Sequence, residues 1–236
     1  MVHCGSSVYY YSVLDSAPFP EYNLATSPDI MDTESGISLG AGGHYVHIST
    51  DADTSVQAGG GTLSLLRLRL GERSELGITL GLCDLLNITD RSTEPHPFFF
   101  FDYKRKLLDR SIILALDPGF GLGGTEADGP AFDVRLAVML GKRLLGGIIM
   151  PYVSPTAHAL LYIFQRESHG LSSSVHYGLA PTYGITAGFD FNAYAPSKSF
   201  QLHLVPECSV LRGHETTTDD IIYLVIKPSF MLRAVF

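Results

Sequence analysis

Apolar and polar positions alternate with a period of two along most of this chain, the repeat of extended strands whose successive side chains point to opposite faces. The plainest run is the last. Ile222, Leu224, Ile226, Pro228, Phe230, Leu232, Ala234 and Phe236 share one face, and Tyr223, Val225, Lys227, Ser229, Met231, Arg233 and Val235 share the other. Similar runs begin at Gly36, where Ile37, Leu39, Ala41 and Tyr45 oppose Ser38, Gly40, Gly42 and His44. Leu66, Leu68 and Leu70 flank Arg67 and Arg69; after a GERS turn, Leu76, Ile78, Leu80 and Leu82 alternate with Gly77, Thr79, Gly81 and Cys83. Ile112–Leu122, Phe132–Leu140, 145–165, 175–191 and Phe200–Leu204 continue the theme. Residues 1–34 show no sustained period and contain Pro18, Pro20 and Pro28, which predicts an irregular tether ahead of a strand-built domain over 35–236.

One face of these strands is wholly apolar while the other carries Gly, Thr, Lys and Arg, the alternation a membrane barrel needs between lipid and lumen. Composition agrees. Residues are 45% hydrophobic and only 17% charged, lean against the ~25% charge of soluble domains. No window holds the ~18 uninterrupted apolar residues of a membrane helix, so a bilayer would be crossed by a closed barrel. The net charge of −8 argues against nucleic acid as a partner. Cys4, Cys83 and Cys208 show no CxxC spacing, so neither a metal site nor a disulfide framework is indicated, although a Cys83–Cys208 bridge stays open. No cofactor is implied.

The final strand, with Phe236 last and Ala234, Leu232 and Phe230 at every second position before it, resembles that of bacterial outer-membrane β-barrel proteins. The resemblance implies an all-β, antiparallel, up-and-down transmembrane barrel in the outer membrane, with short periplasmic turns and longer external loops. Counting back from a periplasmic C-terminus, GHETTT is external, APSK periplasmic, RESHGLS external, GKRL periplasmic and GTEADGP external. A further strand in PFFFFDYK, at 97–104, keeps the alternation: KRKLLDR becomes a periplasmic turn, TDRSTEPH external, GERS periplasmic and STDADTS external. Ten strands result, with both termini periplasmic. Cys4-Gly5-Ser6-Ser7 resembles the start of a mature bacterial lipoprotein, which implies lipid attachment at Cys4; an ordinary free cysteine is the alternative. Met1-Val2-His3 has neither a charged nor an apolar leader region, so the chain is expected to be a mature form.

Pro118, Pro151, Pro181, Pro206 and Pro228 fall inside predicted strands, where a missing N–H breaks a ladder bond. They are expected at bulges or near the membrane interface. The aromatic residues Tyr45, Phe98–Phe101, Tyr162, Phe164, Phe189, Phe191, Tyr194, Phe200 and Phe236 are expected to form interfacial girdles.

The polar phase collects Arg67, Arg69, Arg135, Lys227 and Arg233 against Asp117, Asp133, Asp190 and Glu207, with His176, Thr182 and His203 among them. Buried charges must be paired, so these predict an ion-pair network filling a narrow lumen; a polar conduit is the functional alternative. A wide pore is excluded, because aqueous channels appear at ~16 strands. His158, His169, His176, His203 and His214 with Ser172–Ser174 supply raw material for hydrolysis, but no nucleophile elbow accompanies them. The expected role is structural or accessory: anchoring or complex assembly, with outer-membrane lipid as partner and other envelope proteins meeting the tether or outer loops. A narrow channel or transporter is the second reading and a lipid-modifying enzyme the third. A soluble lipocalin-like barrel is the fourth, and would turn the apolar face inward.

Overall fold

The computed structural model describes residues 36–50, 55–87, 96–124, 130–167, 173–197, 199–215 and 221–236. The described chain forms ten strands: β1 (Ile37–Thr50), β2 (Ser55–Arg69), β3 (Ser74–Asn87), β4 (His96–Asp109), β5 (Ile112–Gly124), β6 (Pro130–Lys142), β7 (Ile149–Glu167), β8 (Ser173–Ser197), β9 (Phe200–Glu215) and β10 (Ile221–Val235). Each pairs antiparallel with its sequence neighbours, and β10 pairs with β1 to close the barrel. The expected strand number and closure are both found. The tether, with Cys4, lies outside the described residues.

The barrel is inverted relative to a soluble protein. Leu224, Ile226 and Phe230 are 40%, 38% and 48% exposed on the outer wall, whereas Arg67 and Arg135 are each 2% exposed inside it. Strand β6 alternates without a break between exposed and buried positions along its length. A lipocalin-like arrangement is ruled out by this phase. No helix among the described residues is long and apolar enough to cross a membrane; strands closed into a barrel satisfy their backbone groups without one.

Both chain ends of the barrel, Gly36 and Phe236, lie at one rim, where the Phe236 N–H donates to the Ile37 carbonyl. The connections β2–β3, β4–β5, β6–β7 and β8–β9 share this terminal end; the other five form the loop end. Strand β4 extends well past residue 104, so KRKLLDR is not a turn. Arg105 and Lys106 pair with Leu116 and Ala115, and only Arg110 and Ser111 separate β4 from β5. β7 begins later than expected, because Leu145, Gly146 and Gly147 adopt positive φ in a short 3-10 turn. β8 runs through most of APSK.

The prolines do not sit at bulges. Register shifts occur between Ser38 and Gly40, Gly59 and Gly61, Ser64 and Leu66, Lys106 and Leu108, and within Asn192–Ser197. Around Pro118 the register is unbroken: Asp102 faces Gly119 and Arg105 faces Leu116, while the two positions between have no rung. The same two-position gap falls at Pro155 between β6 and β7, at Pro206 between β8 and β9, and at Pro228 between β10 and β1. Pro118, Pro155 and Pro206 are each the seventh residue of their strand from the terminal end. Each gap is confined to one seam, and unbroken ladders on the opposite seams hold the register.

Candidate functional site

The lumen divides into two tiers. Toward the loop end its lining is mostly apolar: Val46, Ile48, Phe98, Phe100, Leu160, Leu211, Tyr223 and Val225 form one buried cluster with Ala131 and Ala180, and Asp133, His158 and Thr182 are buried in the same half. Toward the terminal end it is charged. Arg67 Nη1 donates to Glu75 Oε1 at 2.9 Å and to Asp102 Oδ1 at 3.0 Å, Nη2 donates to Asp102 Oδ2 at 3.0 Å, and Lys104 Nζ lies 2.6 Å from the same Glu75 oxygen. All four residues are at most 2% exposed. Arg135 Nη2 donates to Asp117 Oδ2 at 2.7 Å, and its guanidinium lies 4.6 Å from the centre of the Phe100 ring, joining the tiers.

Register explains how these contacts form. Arg67 (β2) faces Gly77 (β3), which faces Asp102 (β4). Tyr152 (β7) faces Gly188 (β8), which faces Glu207 (β9), and the Tyr152 hydroxyl donates to Glu207 at 2.7 Å. Thr182 (β8) faces Gly213 (β9), which faces Tyr223 (β10), and their hydroxyls lie 2.8 Å apart. In each triplet the middle strand offers no side chain, and the outer two bond over it. A Cβ on Gly77 would stand 2.5 Å from Asp102 Oδ2, and one on Gly188 would stand 2.7 Å from the Tyr152 hydroxyl.

Three further carboxylates complete the polar lining. Asp133 Oδ2 lies 3.0 Å from His158 Nδ1. Asp190 binds His203 Nδ1 at 2.6 Å and Arg233 Nη2 at 3.0 Å. Glu207 also accepts from Ser229 Oγ at 3.0 Å. Below these groups the barrel opens at the terminal end into a vestibule of about 560 Å³, whose wall includes Arg69, Lys106, Asp109, Arg143, His203 and Arg233.

Of the residues selected by polar phase, Arg67, Asp117, Asp133, Arg135, Asp190, Glu207, Lys227 and Arg233 are buried in the lumen, His203 is half-buried beside Asp190, and Arg69 lines the vestibule. The His176 side chain lies outside the described residues. Phase counting missed Glu75, Asp102 and Lys104, which are central to the Arg67 cluster. Glu75 falls between the GERS turn and the alternation that starts at Leu76, and the unbroken run Phe98–Phe101 hides the parity that puts Phe98, Phe100, Asp102 and Lys104 on one face. Phe98 and Phe100 are therefore lumen residues, 3% and 2% exposed, and not girdle residues.

On the outer wall Tyr194, Phe200 and Phe236 form an aromatic chain at the terminal rim, with centroids 6.5 and 5.6 Å apart. Cys208 is a free, exposed thiol on β9, which is separated from the Cys83 strand β3 by three others, so the open Cys83–Cys208 pairing is not made. Of the histidines weighed for hydrolysis, His158 faces the lumen beside Asp133 and His203 faces the vestibule, while His169 and Ser172 lie outside the described residues. Among the described residues, no group of three or more His, Cys, Asp or Glu is placed to hold a metal.

No protein-family model matches this chain, and no curated protein does. Solved structures similar to it include Neisserial surface protein A, at 12% identity and TM-score 0.45, covering 86% of this chain and 98% of that one. Ail, the attachment invasion locus protein of Yersinia pestis, matches at 14% identity and TM-score 0.32 over 84% and 97% of the two chains. The β domain of the Bordetella autotransporter BrkA matches at 10% identity and TM-score 0.35 over 83% and 98%.

Proposed function

We propose that this chain is a non-conducting barrel of the bacterial outer membrane with a structural or accessory role, anchoring or assembling other envelope components. The observation that carries this reading is the filled lumen. The Phe98–Phe100–Leu160–Tyr223 cluster takes up space in the loop half, and the Arg67–Asp102 and Arg135–Asp117 pairs do so in the terminal half. An outer wall studded with exposed Leu, Ile, Val and Phe supports hydrocarbon as its solvent. The terminal end is taken as periplasmic, because short turns gather there. In this reading the segment ahead of Gly36, with lipid on Cys4, meets periplasmic partners, and mass spectrometry of the N-terminal peptide tests the lipid.

A narrow channel has the vestibule in its favour, since about 560 Å³ opens from one end. Planar-bilayer recording separates the two. The structural role predicts a flat trace for the pure, heat-modifiable protein, while reproducible unitary steps abolished by substituting Arg67 or Arg135 would establish the channel.

A further inference from the structure

The vestibule and the chain that leaves beside it are electrostatically matched. Residues 1–35 contain Asp15, Glu21, Asp29, Asp32 and Glu34 and no Lys or Arg. They join the barrel at Gly36, whose carbonyl accepts from the Arg69 N–H at 2.8 Å; Gly36 has φ 64°, and a Cβ there would meet Arg69 Cβ at 2.8 Å. Arg69 is itself part of the vestibule wall, so the acidic segment begins on the cavity's edge.

The two ends of the barrel carry opposite charge. Connections at the terminal end, 70–73, 110–111, 143–148 and 198–199, contain Arg73, Arg110, Arg143 and Lys198 against Glu72 alone. Those at the loop end contain eight acidic residues against Arg91. Within the vestibule, four basic side chains, Arg69, Lys106, Arg143 and Arg233, meet three carboxylates, Glu72, Asp109 and Asp190. Asp109 is held by Lys106 at 2.5 Å and Arg143 at 2.8 Å, and Asp190 by His203 and Arg233. Arg233 is only 4% exposed, and its Nε has no hydrogen-bond partner among the described residues. A buried guanidinium N–H without an acceptor is costly, and a carboxylate is its best partner.

We propose that the vestibule is a carboxylate-binding site and that its occupant is the chain's own acidic segment, through Asp29, Asp32 and Glu34. These lie seven, four and two residues from Gly36, so at up to about 3.5 Å per residue all three reach the cavity. Attachment at Gly36 raises their local concentration to the millimolar range, which favours them over a soluble competitor. The assignment is independent of which compartment the terminal end faces and of whether the barrel conducts.

The test is zero-length coupling with a water-soluble carbodiimide on the full-length protein in detergent, with linked peptides read by mass spectrometry. The reagent joins a carboxylate to an amine as an amide and takes up the lost water as a urea. Lys106 is the amine in the vestibule wall, and its link to Asp109 controls for reagent access. The expected result is a Lys106 amide to Asp29, Asp32 or Glu34, falling about tenfold between 10 mM and 1 M NaCl as the Debye length shrinks from about 30 to about 3 Å. A synthetic peptide of residues 15–34 should bind the D29N/D32N/E34Q protein and be refused by the wild type. A Lys106–Asp109 link with no link to the segment overturns the proposal. So does segment coupling that favours Lys142 over Lys106, or equal peptide binding by both proteins, with heat-modifiable migration confirming folded barrels throughout.

Discussion

Arg67 and Asp102 grip each other through two N–H···O bonds of 3.0 Å across an intervening strand, and Gly77 is the residue that lets them meet. Because Gly77 faces both partners, its missing side chain is the space through which the guanidinium reaches the carboxylate. Tyr152–Gly188–Glu207 and Thr182–Gly213–Tyr223 repeat the device on other strands. These three contacts skip a strand, each depending on a glycine that offers no side chain, while pairs such as Arg135–Asp117 and His158–Asp133 join neighbouring strands.

Gly77→Val is expected to separate Arg67 from Asp102 and strand the buried Asp102 carboxylate, while Arg67 keeps Glu75, at a cost of about 3–5 kcal/mol. The gel-shift temperature at which folded barrel converts to unfolded form should drop markedly. Asp102→Asn, which retains one acceptor, should cost less, and equal losses for the two would contradict the bridging role of Gly77.

Removing the Tyr223 hydroxyl leaves the buried Thr182 hydroxyl without its partner at 2.8 Å. Tyr223→Phe should destabilise the barrel by about 1–3 kcal/mol. The double variant with Thr182→Val should recover part of that loss, as a double-mutant cycle in urea-melt midpoints would show.

A charge on the outer wall tests the hydrocarbon surroundings. Val134 is 55% exposed near the middle of β6, so Val134→Arg should cost about 2–4 kcal/mol in bilayers. Leu145→Arg, at the 70%-exposed turn of the terminal end, should be close to neutral. Similar stabilities for both variants in liposomes would argue that the band around Val134 faces water.

Cys208 offers a chemical version of the same test. It is exposed on the wall at mid-β9, with its pairing partner Pro228 beside it. With Cys4 and Cys83 replaced by serine, a membrane-impermeant maleimide should leave Cys208 unlabelled in proteoliposomes and label it after denaturation. Prompt labelling from the aqueous side would place β9 outside the bilayer.

Opening the lumen requires both tiers to be cleared. Phe98→Ala with Phe100→Ala removes the loop-half layer but leaves the Arg67 and Arg135 pairs in place, so these variants should remain electrically silent. Adding Arg67→Ala, Asp102→Ala, Arg135→Ala and Asp117→Ala should bring conductance steps. Current from the Phe98/Phe100 variant alone would mean that the charged tier does not seal the barrel.

The two-residue period marked the strands and sorted their residues into two faces, and connection lengths, read through the resemblance to outer-membrane barrels, set ten of them in antiparallel order. The period is the same whichever face is buried, so the outward direction of the greasy face rested on its composition against the Gly, Thr and charged residues opposite it. Parity along one strand was also enough to send Arg67, Asp117, Asp133, Arg135 and Arg233 inward. Only the tertiary structure decided which inward groups meet. Cross-strand register and barrel closure bring Arg67 over Gly77 to Asp102, and they separate an apolar tier at one end from a charged tier at the other. A period says which face a side chain takes but carries no information about its height relative to the next strand, and hydrogen bonds of 3 Å depend on that height.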